Sequence, residues 1–293
     1  MASSPTTSKV WFITGCSSGI GRELALAALA RGDKVIATAR SAAKLEDLEA
    51  RGALATVLDV TSSDETVAKI VADAVAVYSR VDILVNNAGY SLVGSAEECS
   101  DEEIQSVFAT NVFGIYKMLR AVLPYMRAQK SGVIANVGSI GGRRAFPASG
   151  VYCATKFAVA GLTESLRAEV AHLNIDVTCI DLGSFRTNFG NNQVSAKKVM
   201  ADAGPAVEQM KSYLEMRNGK QLGDPAKAAQ VLVDALSKTG KCVGKTLPVR
   251  LAVGSDAAPF ISNILQRDQK DLDEWVELLA GTDHADSGLT PQF

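Results

Sequence analysis

The sequence predicts an α/β fold, with a single open, doubly wound parallel sheet and helices on both faces. Two observations predict it. Short apolar runs alternate strictly with longer helical patterns over residues 9–185, and this alternation is typical of β-α-β connections. The predicted strands are also continuously apolar, as parallel strands covered on both faces require. No linker and no repeat interrupts the pattern, so we expect one domain over residues 1–293.

Each element follows from its local pattern. Strands are predicted where the apolar runs are short, at 9–14, 34–39, 53–60, 81–89, 132–139, 175–183 and near 247–252. Helices are predicted where apolar residues recur with helical spacing, at 20–32, 41–52, 61–78, 101–129 with a break near Gly114, 150–172 and 224–238. Residues 188–222 are polar and irregular. The stretch 255–293 predicts a C-terminal helix to about 280, followed by a frayed tail, TDHADSGLTPQF.

Composition and charge exclude several classes of protein. The net charge is −2 without a block of like charges, so we expect no nucleic-acid partner. The 5 cysteines form no CxxC pair and there are only 2 histidines. This set indicates free thiols and no metal site. No apolar signal core and no integral membrane segment is evident. A cytoplasmic enzyme is therefore expected.

A glycine-rich turn, TGCSSGIG at 14–21, lies between the first predicted strand and the first helix. Glycines at such a turn let the backbone approach a pyrophosphate, which then rests on the helix N-terminus. The turn predicts a Rossmann-type dinucleotide site, although its Gly-x3-Gly-x-Gly spacing differs from the commoner fingerprint, and a plain glycine-rich loop is the alternative. The candidate cofactor-binding residues here are Gly15, Ser17, Ser18, Gly19, Ile20 and Gly21.

The end of the second strand favours NADP(H) over NAD(H) as the cofactor. Enzymes that select the unphosphorylated cofactor usually place a carboxylate there, whereas this strand ends Thr38-Ala39-Arg40. A guanidinium at that point is able to bind a 2′-phosphate, and the alternative is that Arg40 is a solvated surface residue. At the end of the third strand, Asp59 and Val60 are candidates for the adenine contact; otherwise Asp59 caps the next helix.

The pair Tyr152 and Lys156 lies one helical turn apart in VYCATKFAVAG. An ammonium at that distance favours the phenolate over the phenol and would lower a tyrosine pKa from its usual value of about 10. A tyrosine so tuned is a workable proton donor and acceptor. Ser139 ends the fifth strand, at the sheet edge where such folds bind ligands. Asn111 lies in the long helix before that strand.

Taken together, TGCSSGIG, NNAG at 86–89, Asn111, Ser139 and YCATK resemble the short-chain dehydrogenase/reductase family over residues 9–190. The resemblance implies that Tyr152 is the general acid/base and that Lys156 lowers its pKa and binds the nicotinamide ribose. It implies that Ser139 orients the substrate carbonyl and that Asn111 helps to hold a water in a proton relay. The implied cofactor contacts also include Asn87, Ala88, Gly89 and Thr187.

The run 139–166 further resembles the 17β-hydroxysteroid and retinol dehydrogenase branch and many fungal oxidoreductases. The same fungal pattern includes a tail motif, which here reads PVRLAVGSDA at 248–257. One departure concerns the turn after the sixth strand, where the family usually has Pro-Gly and this chain has Leu182-Gly183. Within the family, helices like 101–129 and 150–172 commonly form dimers, so a homodimer or homotetramer is expected.

The variable segment 188–222 is predicted to be the substrate-binding lid. It mixes apolar with polar residues, and Tyr90, Phe146 and Pro147 are expected in the same cleft. We therefore expect a lipophilic ketone or secondary alcohol as substrate. Two alternatives stay open: an imine reductase or cofactor-assisted cyclase or isomerase using the same site, and a redox-silent protein that senses NADP(H).

Three further features have simpler readings. Cys153 is expected to pack in the protein rather than to act as a redox sensor. Arg143 and Arg144 are expected to be solvated loop charges. Trp275, with its apolar neighbours Leu272, Val276 and Leu279, predicts a last helix that docks on the domain.

Overall fold

The computed structural model describes residues 8–279, 281, 282 and 284. The predicted frayed tail therefore lies outside the described residues, apart from Thr282 and His284. None of the helices in the described part of the chain has the length and hydropathy that a membrane span requires.

A seven-stranded parallel sheet forms the centre of the molecule. Its strands are β1 (Val10–Ile13), β2 (Lys34–Ala39), β3 (Leu54–Val57), β4 (Ile83–Asn86), β6 (Gly132–Val137), β7 (Ile175–Leu182) and β9 (Arg250–Val253). Two short strands, β5 (Leu92–Val93) and β8 (Val194–Ser195), pair with each other in a separate parallel ribbon.

Helices connect the strands and cover the sheet. They are α1 (Gly19–Ala30), α2 (Glu46–Glu49), α3 (Asp64–Tyr78), α4 (Asp101–Phe108), α5 (Gly114–Gln129), α6 (Gly150–Val170), α7 (Pro205–Arg217), α8 (Pro225–Ser237) and α9 (Ala257–Leu279). Several begin at side-chain caps: Ser63 caps α3, Ser100 and Glu103 form a capping box at α4, and Asp224 precedes Pro225 at α8.

The strand order β3-β2-β1-β4-β6-β7-β9 reverses direction between β1 and β4. Adjacent residues of β1, Trp11 and Phe12, are both fully buried and belong to two separate hydrophobic clusters. Because successive side chains of a strand point to opposite faces, these clusters are the cores on the two sides of the sheet. The predicted doubly wound parallel sheet is confirmed, and its switch point defines where a ligand crevice is expected.

One predicted helix is much shorter than expected. The stretch 41–52 forms only a 3₁₀ turn, Ala42–Lys44, and the single turn of α2, since these suffice to bury Leu45 and Leu48. The break predicted near Gly114 in the helical stretch 101–129 is confirmed: a π-helical turn, Ala109–Phe113, separates α4 from α5. Side-chain bonds of Asn111, described below, hold this turn.

The irregular segment 188–222 is more ordered than its composition indicates. It contains β8 and the three-turn helix α7, which begins at Pro205 after Gly204. Proline favours the first position of a helix because the missing N–H has no partner there anyway. The helix went unpredicted because α7 has no fully buried residue and hence no apolar stripe.

The prediction that Trp275 docks the last helix is wrong. Only Ala257, Ile261 and Ile264 of α9 are buried. Trp275 is 56% exposed, and its apolar neighbours Leu272, Val276 and Leu279 are exposed as well. Helical spacing shows that an apolar face exists, but it carries no information on whether the same chain covers that face.

Candidate active site

The glycine-rich turn lies at the switch point, between the end of β1 and the start of α1. Gly15 and Gly19 adopt φ values of +73° and +61°, which side chains with a Cβ rarely adopt. None of the described side chains caps α1 at Ser18, its N-cap residue. The N–H groups of the first turn and the positive end of the helix dipole are therefore available, and they fit a pyrophosphate.

The NNAG stretch holds this turn in shape. The side-chain amide of Asn87 donates to the carbonyl oxygens of Thr14 (2.9 Å) and Gly15 (3.1 Å). In return, the Thr14 hydroxyl accepts the backbone N–H groups of Asn87 (2.9 Å) and Ala88 (3.0 Å). The polar groups of Asn87 and Ala88 are thus used to join β4 to the glycine turn.

The adenosine side of the crevice carries Arg40, Asp59 and Val60. Arg40 is exposed directly after β2, and its guanidinium forms no ion pair within the described residues. One oxygen of Asp59 accepts the N–H and hydroxyl of Thr61, at 2.9 and 2.8 Å. Asp59 therefore shapes the turn before α3. The helix itself is capped by Ser63. Val60 is buried against Gly114.

Ser139 and Tyr152 meet at the carboxyl end of β6. The Ser139 hydroxyl accepts the N–H of Gly141 at 3.0 Å. A Cβ at Gly141 would lie 3.4 Å from the Ser139 hydroxyl and 3.7 Å from the Tyr152 ring, so the two side chains lie next to each other. Burial raises the pKa of Tyr152 above its usual value, and the neighbouring Ser139 hydroxyl offsets only part of this effect. At neutral pH the phenol is consequently protonated.

Lys156 lies beside this pair, almost fully buried at 6% exposure. Its Nζ donates to the carbonyl oxygen of Val137 at 2.7 Å and lies 5.7 Å from the centroid of the Tyr152 ring. Burial lowers the pKa of Lys156 to about 8. The expected lowering of the Tyr152 pKa is not found here, because the ammonium lies over the ring rather than at the hydroxyl and burial dominates.

Asn111 fixes the loop that follows β4. Its side-chain oxygen accepts the N–H of Tyr90 (3.0 Å), and its amide donates to the carbonyl of Tyr90 (2.9 Å) and to Thr155 (3.1 Å). A Cβ at Gly89 would lie 3.0 Å from the Asn111 oxygen, so a larger residue there would displace the Asn111 side chain. π-helical turns such as the one that carries Asn111 are frequent at functional sites. The water-relay role of Asn111 stays a prediction.

Thr187 closes the crevice from the side of β7. A Cβ at Gly19 would lie 3.3 Å from that of Thr187, so the threonine rests directly over the start of α1. The family usually has proline at the position of Leu182 in this turn. Leu182 continues β7 and pairs with Val253 of β9 instead.

Two pairs of aromatic side chains lie in this region. The ring of Phe189, from the predicted lid, lies 5.7 Å from the Tyr152 ring at an angle of 56°. Phe146 stacks on Phe260 of α9, also at 5.7 Å. The contribution of Phe260 was missed, because only its place in an amphipathic helix is visible in the sequence.

The predicted lid is fastened to the loop before α4 through Glu98. This carboxylate is 2% exposed and accepts the N–H groups of Ser95 (2.8 Å) and Met200 (3.1 Å) and the ammonium of Lys211 (3.0 Å). These bonds lower its pKa to about 2, so Glu98 is ionised and the attachment is intact at neutral pH. No sequence pattern marks Glu98 for this role.

The expectation for Arg143 is also wrong. Its Nε donates at 2.8 Å to Asp181, which is fully buried on β7, so Arg143 is a structural ion-pair partner and not a solvated loop charge. Arg144 is exposed, as expected. Cys153 is 1% exposed, and burial raises the pKa of its thiol, in agreement with a packing role.

Comparison with known proteins now identifies the class. A family model described as short chain dehydrogenase matches residues 9–198. The protein belongs to the short-chain dehydrogenase/reductase family, as its motifs indicate. It is 32% identical over 274 residues to oxidoreductase BOA17 of Botryotinia fuckeliana, covering 92% of this chain and 97% of that protein. It is 35% identical over 256 residues to retinol dehydrogenase 8 of Homo sapiens, covering 82% and 80%.

Solved structures agree with this assignment. A short-chain dehydrogenase from Streptomyces avermitilis superposes with a TM-score of 0.84 at 40% identity, covering 94% of this chain and all of that one (100%). A 3-ketoacyl-(acyl-carrier-protein) reductase from Brucella melitensis, complexed with NADH, superposes with a TM-score of 0.68 at 28% identity, covering 84% and 96%. The protein is thus an oxidoreductase of a family that binds nicotinamide cofactors.

The packing of the glycine turn predicts opposite effects for two Gly→Ala variants. A Cβ at Gly21 would clash with the Asn87 amide and lie 2.7 Å from the Gly15 carbonyl oxygen. Gly21→Ala should therefore cost about 1–3 kcal/mol of stability and weaken binding of the nicotinamide cofactor. At Gly161, in the middle of α6, no atom lies within 4 Å of a Cβ, so Gly161→Ala should stabilise the protein by about 0.5–1 kcal/mol. Denaturant unfolding and NADPH titration measure both. Unaltered cofactor binding in Gly21→Ala would contradict a role of the glycine turn in holding the cofactor.

Proposed function

We propose that this protein is an NADP(H)-dependent oxidoreductase that transfers a hydride between the nicotinamide and a lipophilic ketone or secondary alcohol. One observation carries the proposal. The side chains of Ser139 and Tyr152 lie next to each other and to the Lys156 ammonium, at the sheet edge that also holds the glycine turn. A carbonyl oxygen placed between the two hydroxyls would accept a hydrogen bond from each.

The residues of the chain then divide the work of proton transfer. Ser139 fixes the substrate oxygen, and the protonated Tyr152 donates its proton to that oxygen as negative charge develops. Lys156, which is cationic below a pH of about 8, stabilises the phenolate that remains. The bound nicotinamide supplies or accepts the hydride.

The preference for NADP(H) is supported by the end of β2. Ala39 is buried and small, Arg40 is exposed, and neither brings a negative charge towards a 2′-phosphate. Arginine binds phosphate through paired, charge-assisted hydrogen bonds. The free guanidinium of Arg40 is the natural partner for that group.

A lipophilic substrate is supported by the surroundings of the hydroxyls. Phe189 packs on Tyr152, and the Phe146–Phe260 stack adjoins the loop that follows Ser139. We assign residues 188–222 as a lid over this apolar cleft, within one dinucleotide-binding domain. A relative of this chain, retinol dehydrogenase 8, is named for an apolar alcohol.

A homodimer or homotetramer fits the exposed aromatic residues on the helices beside the site. Phe113, Tyr116 and Phe157, which precede or lie on α5 and α6, are 53%, 43% and 45% exposed. Large apolar side chains grouped on exposed helices are typical of subunit interfaces.

Replacing Tyr152 by Phe tests its role in proton transfer. The variant keeps the ring packed on Phe189 but removes the proton donor, so kcat should fall about 10²–10⁴-fold. NADPH affinity should stay close to that of the wild type. Tyr116→Phe, which removes an exposed hydroxyl, serves as the control and should keep full activity. Turnover of the Tyr152 variant at the wild-type rate would contradict the assignment of Tyr152 as the proton donor.

Replacing Arg40 by Asp tests the cofactor preference. The carboxylate would repel a 2′-phosphate and accept hydrogen bonds from the ribose hydroxyls. NADPH affinity should therefore fall about ten- to a hundredfold while NADH affinity rises. Lys34→Asp makes the same charge change at the opposite, exposed end of β2 and should leave the preference unaltered. Unchanged selectivity in Arg40→Asp would show that another residue binds the phosphate.

A panel of carbonyl compounds tests the substrate class. We expect lipophilic ketones to be reduced faster than small polar sugars, with deuterium from labelled NADPH appearing in the product. Label that stays on the cofactor while a product forms would indicate a cyclase or isomerase. Tight NADPH binding without turnover of any carbonyl or imine would indicate a redox-silent sensor instead.

A further inference from the structure

The tail motif, PVRLAVGSDA at 248–257, carries two charged side chains that the proposed reaction does not use. Arg250 lies on β9 and Asp256 lies immediately before α9. Both are more than 60 residues away in sequence from the hydroxyl pair, yet both bond directly to loops of the site.

Arg250 bonds to a fully buried carboxylate. Asp181 is 0% exposed and accepts Arg250 Nε at 3.0 Å, Arg250 Nη2 at 2.8 Å and Arg143 Nε at 2.8 Å. The same Nη2 donates to the carbonyl oxygen of Gly142 at 3.0 Å. Arg250 therefore joins β7 and β9 to the loop that begins at Ser139.

The position of Gly142 matters for two reactive groups. A Cβ at Gly142 would lie 2.7 Å from the carbonyl oxygen of Lys156, so the loop is in close contact with the turn of α6 that carries this lysine. One residue earlier, the N–H of Gly141 donates to the Ser139 hydroxyl. A displaced Gly142 would consequently shift the Ser139 hydroxyl relative to Lys156.

Asp256 bonds to the other loop of the site. Its Oδ2 accepts the N–H of Ser184 at 2.9 Å, and Gly183 must lack a Cβ because the Asp256 carboxylate occupies that space. The N–H of Gly183 in turn donates to the carbonyl of Val253 at 2.8 Å. Asp256 thus fixes the turn that leads to Thr187, above the start of α1.

We propose that Arg250 and Asp256 are positioning residues, in which Arg250 holds the Ser139 loop for catalysis and Asp256 holds the Thr187 turn for cofactor binding. The roles of Ser139 and Thr187 rest on the proposed function. The hydrogen bonds that hold the two loops are properties of the fold itself.

The first part of the proposal, that Arg250 holds the Ser139 loop, is tested with Arg250→Gln. Loss of the paired bonds from the Arg250 guanidinium to Asp181 and Gly142 should lower kcat about ten- to a hundredfold, since small displacements of reacting groups have effects of that size. The NADPH Kd should stay within about twofold of the wild type. Hydrogen exchange should accelerate in a peptide covering 139–144 and not in one covering 184–188.

Arg167→Gln is the matched control. Arg167 also donates to two backbone carbonyls of the β7–β9 region, those of Val177 and Leu247, both at 2.8 Å. It does so near the C-terminal end of α6, about 22 Å along the helix from Tyr152. Arg167→Gln should lower Tm as Arg250→Gln does, but it should leave kcat unchanged. Equal Tm losses in the two variants, with wild-type kcat in both, would mean that Arg250 acts only on stability.

Arg250→Lys covers the case in which the Gln variant fails to fold. Lysine keeps a cation beside Asp181 but cannot reproduce the planar fork to Asp181 and Gly142. We expect a folded protein with reduced kcat and faster exchange at 139–144. A wild-type kcat together with wild-type exchange at 139–144 would overturn the positioning role of Arg250.

The second part of the proposal, that Asp256 holds the Thr187 turn, is tested with Asp256→Ala and Asp256→Asn. Alanine removes the acceptor for Ser184 and should raise the NADPH Kd about tenfold, with faster exchange at 184–188 and not at 139–144. Asparagine keeps an oxygen acceptor and should restore most of the affinity. Asp82→Ala is the control, because Asp82 also accepts a backbone N–H, that of Val10 at 2.8 Å, at the opposite end of the sheet. An unchanged Kd in Asp256→Ala would refute this part of the proposal.

Failure of this proposal can be distinguished from failure of the proposed function. If the wild type reduces no carbonyl, the proposed function fails, while hydrogen exchange and NADPH titration still measure both loops. Uniform exchange changes across 139–144 and 184–188 in all variants would refute the assignment of one loop to each residue.

Discussion

The hydrogen bond from the Lys156 ammonium to the carbonyl oxygen of Val137 is the contact on which the site depends. A buried cation is costly unless it is hydrogen-bonded, and this bond joins the first turns of α6 to the end of β6. Since Ser139 follows β6 and Tyr152 lies on α6, the bond sets the distance between the two hydroxyls. Gly142 permits it, because any side chain there would push the loop away from Lys156.

The chain surrounds this contact with three supports of different kinds. Polar bonds of Asn87 and Thr14 join the glycine turn to β4. The side chain of Asn111 joins the π-helical turn to the loop after β4. The Asp181 network joins the Ser139 loop to the sheet. Because each support joins distant segments through several hydrogen bonds of buried or half-buried side chains, each one restricts the position of its loop.

The sequence predicts well what depends on local patterns. The seven strands of the main sheet, their parallel arrangement and the glycine turn follow from short apolar runs and from the glycines between them. The hydroxyl pair and the lysine were named because their spacing resembles a known family. Contacts between distant parts of the chain were not predictable: Asp181 meets Arg250 across 69 residues, and Lys211 meets Glu98 across 113. The exposure of Trp275 was missed for a related reason, because an amphipathic pattern does not say what covers the apolar face.

The pKa values of the buried pair bear on the proton transfer in the reaction that we propose. Proximity of Lys156 predicts a lowered Tyr152 pKa, yet burial of the phenol opposes it and prevails, so the hydroxyl keeps its proton at neutral pH. A protonated phenol is the form that donates to a carbonyl oxygen, whereas oxidation of an alcohol needs the phenolate. The same burial holds the pKa of Lys156 at about 8. Near pH 7 the lysine is therefore largely cationic, and its charge is in place to stabilise the phenolate only once the proton has been transferred.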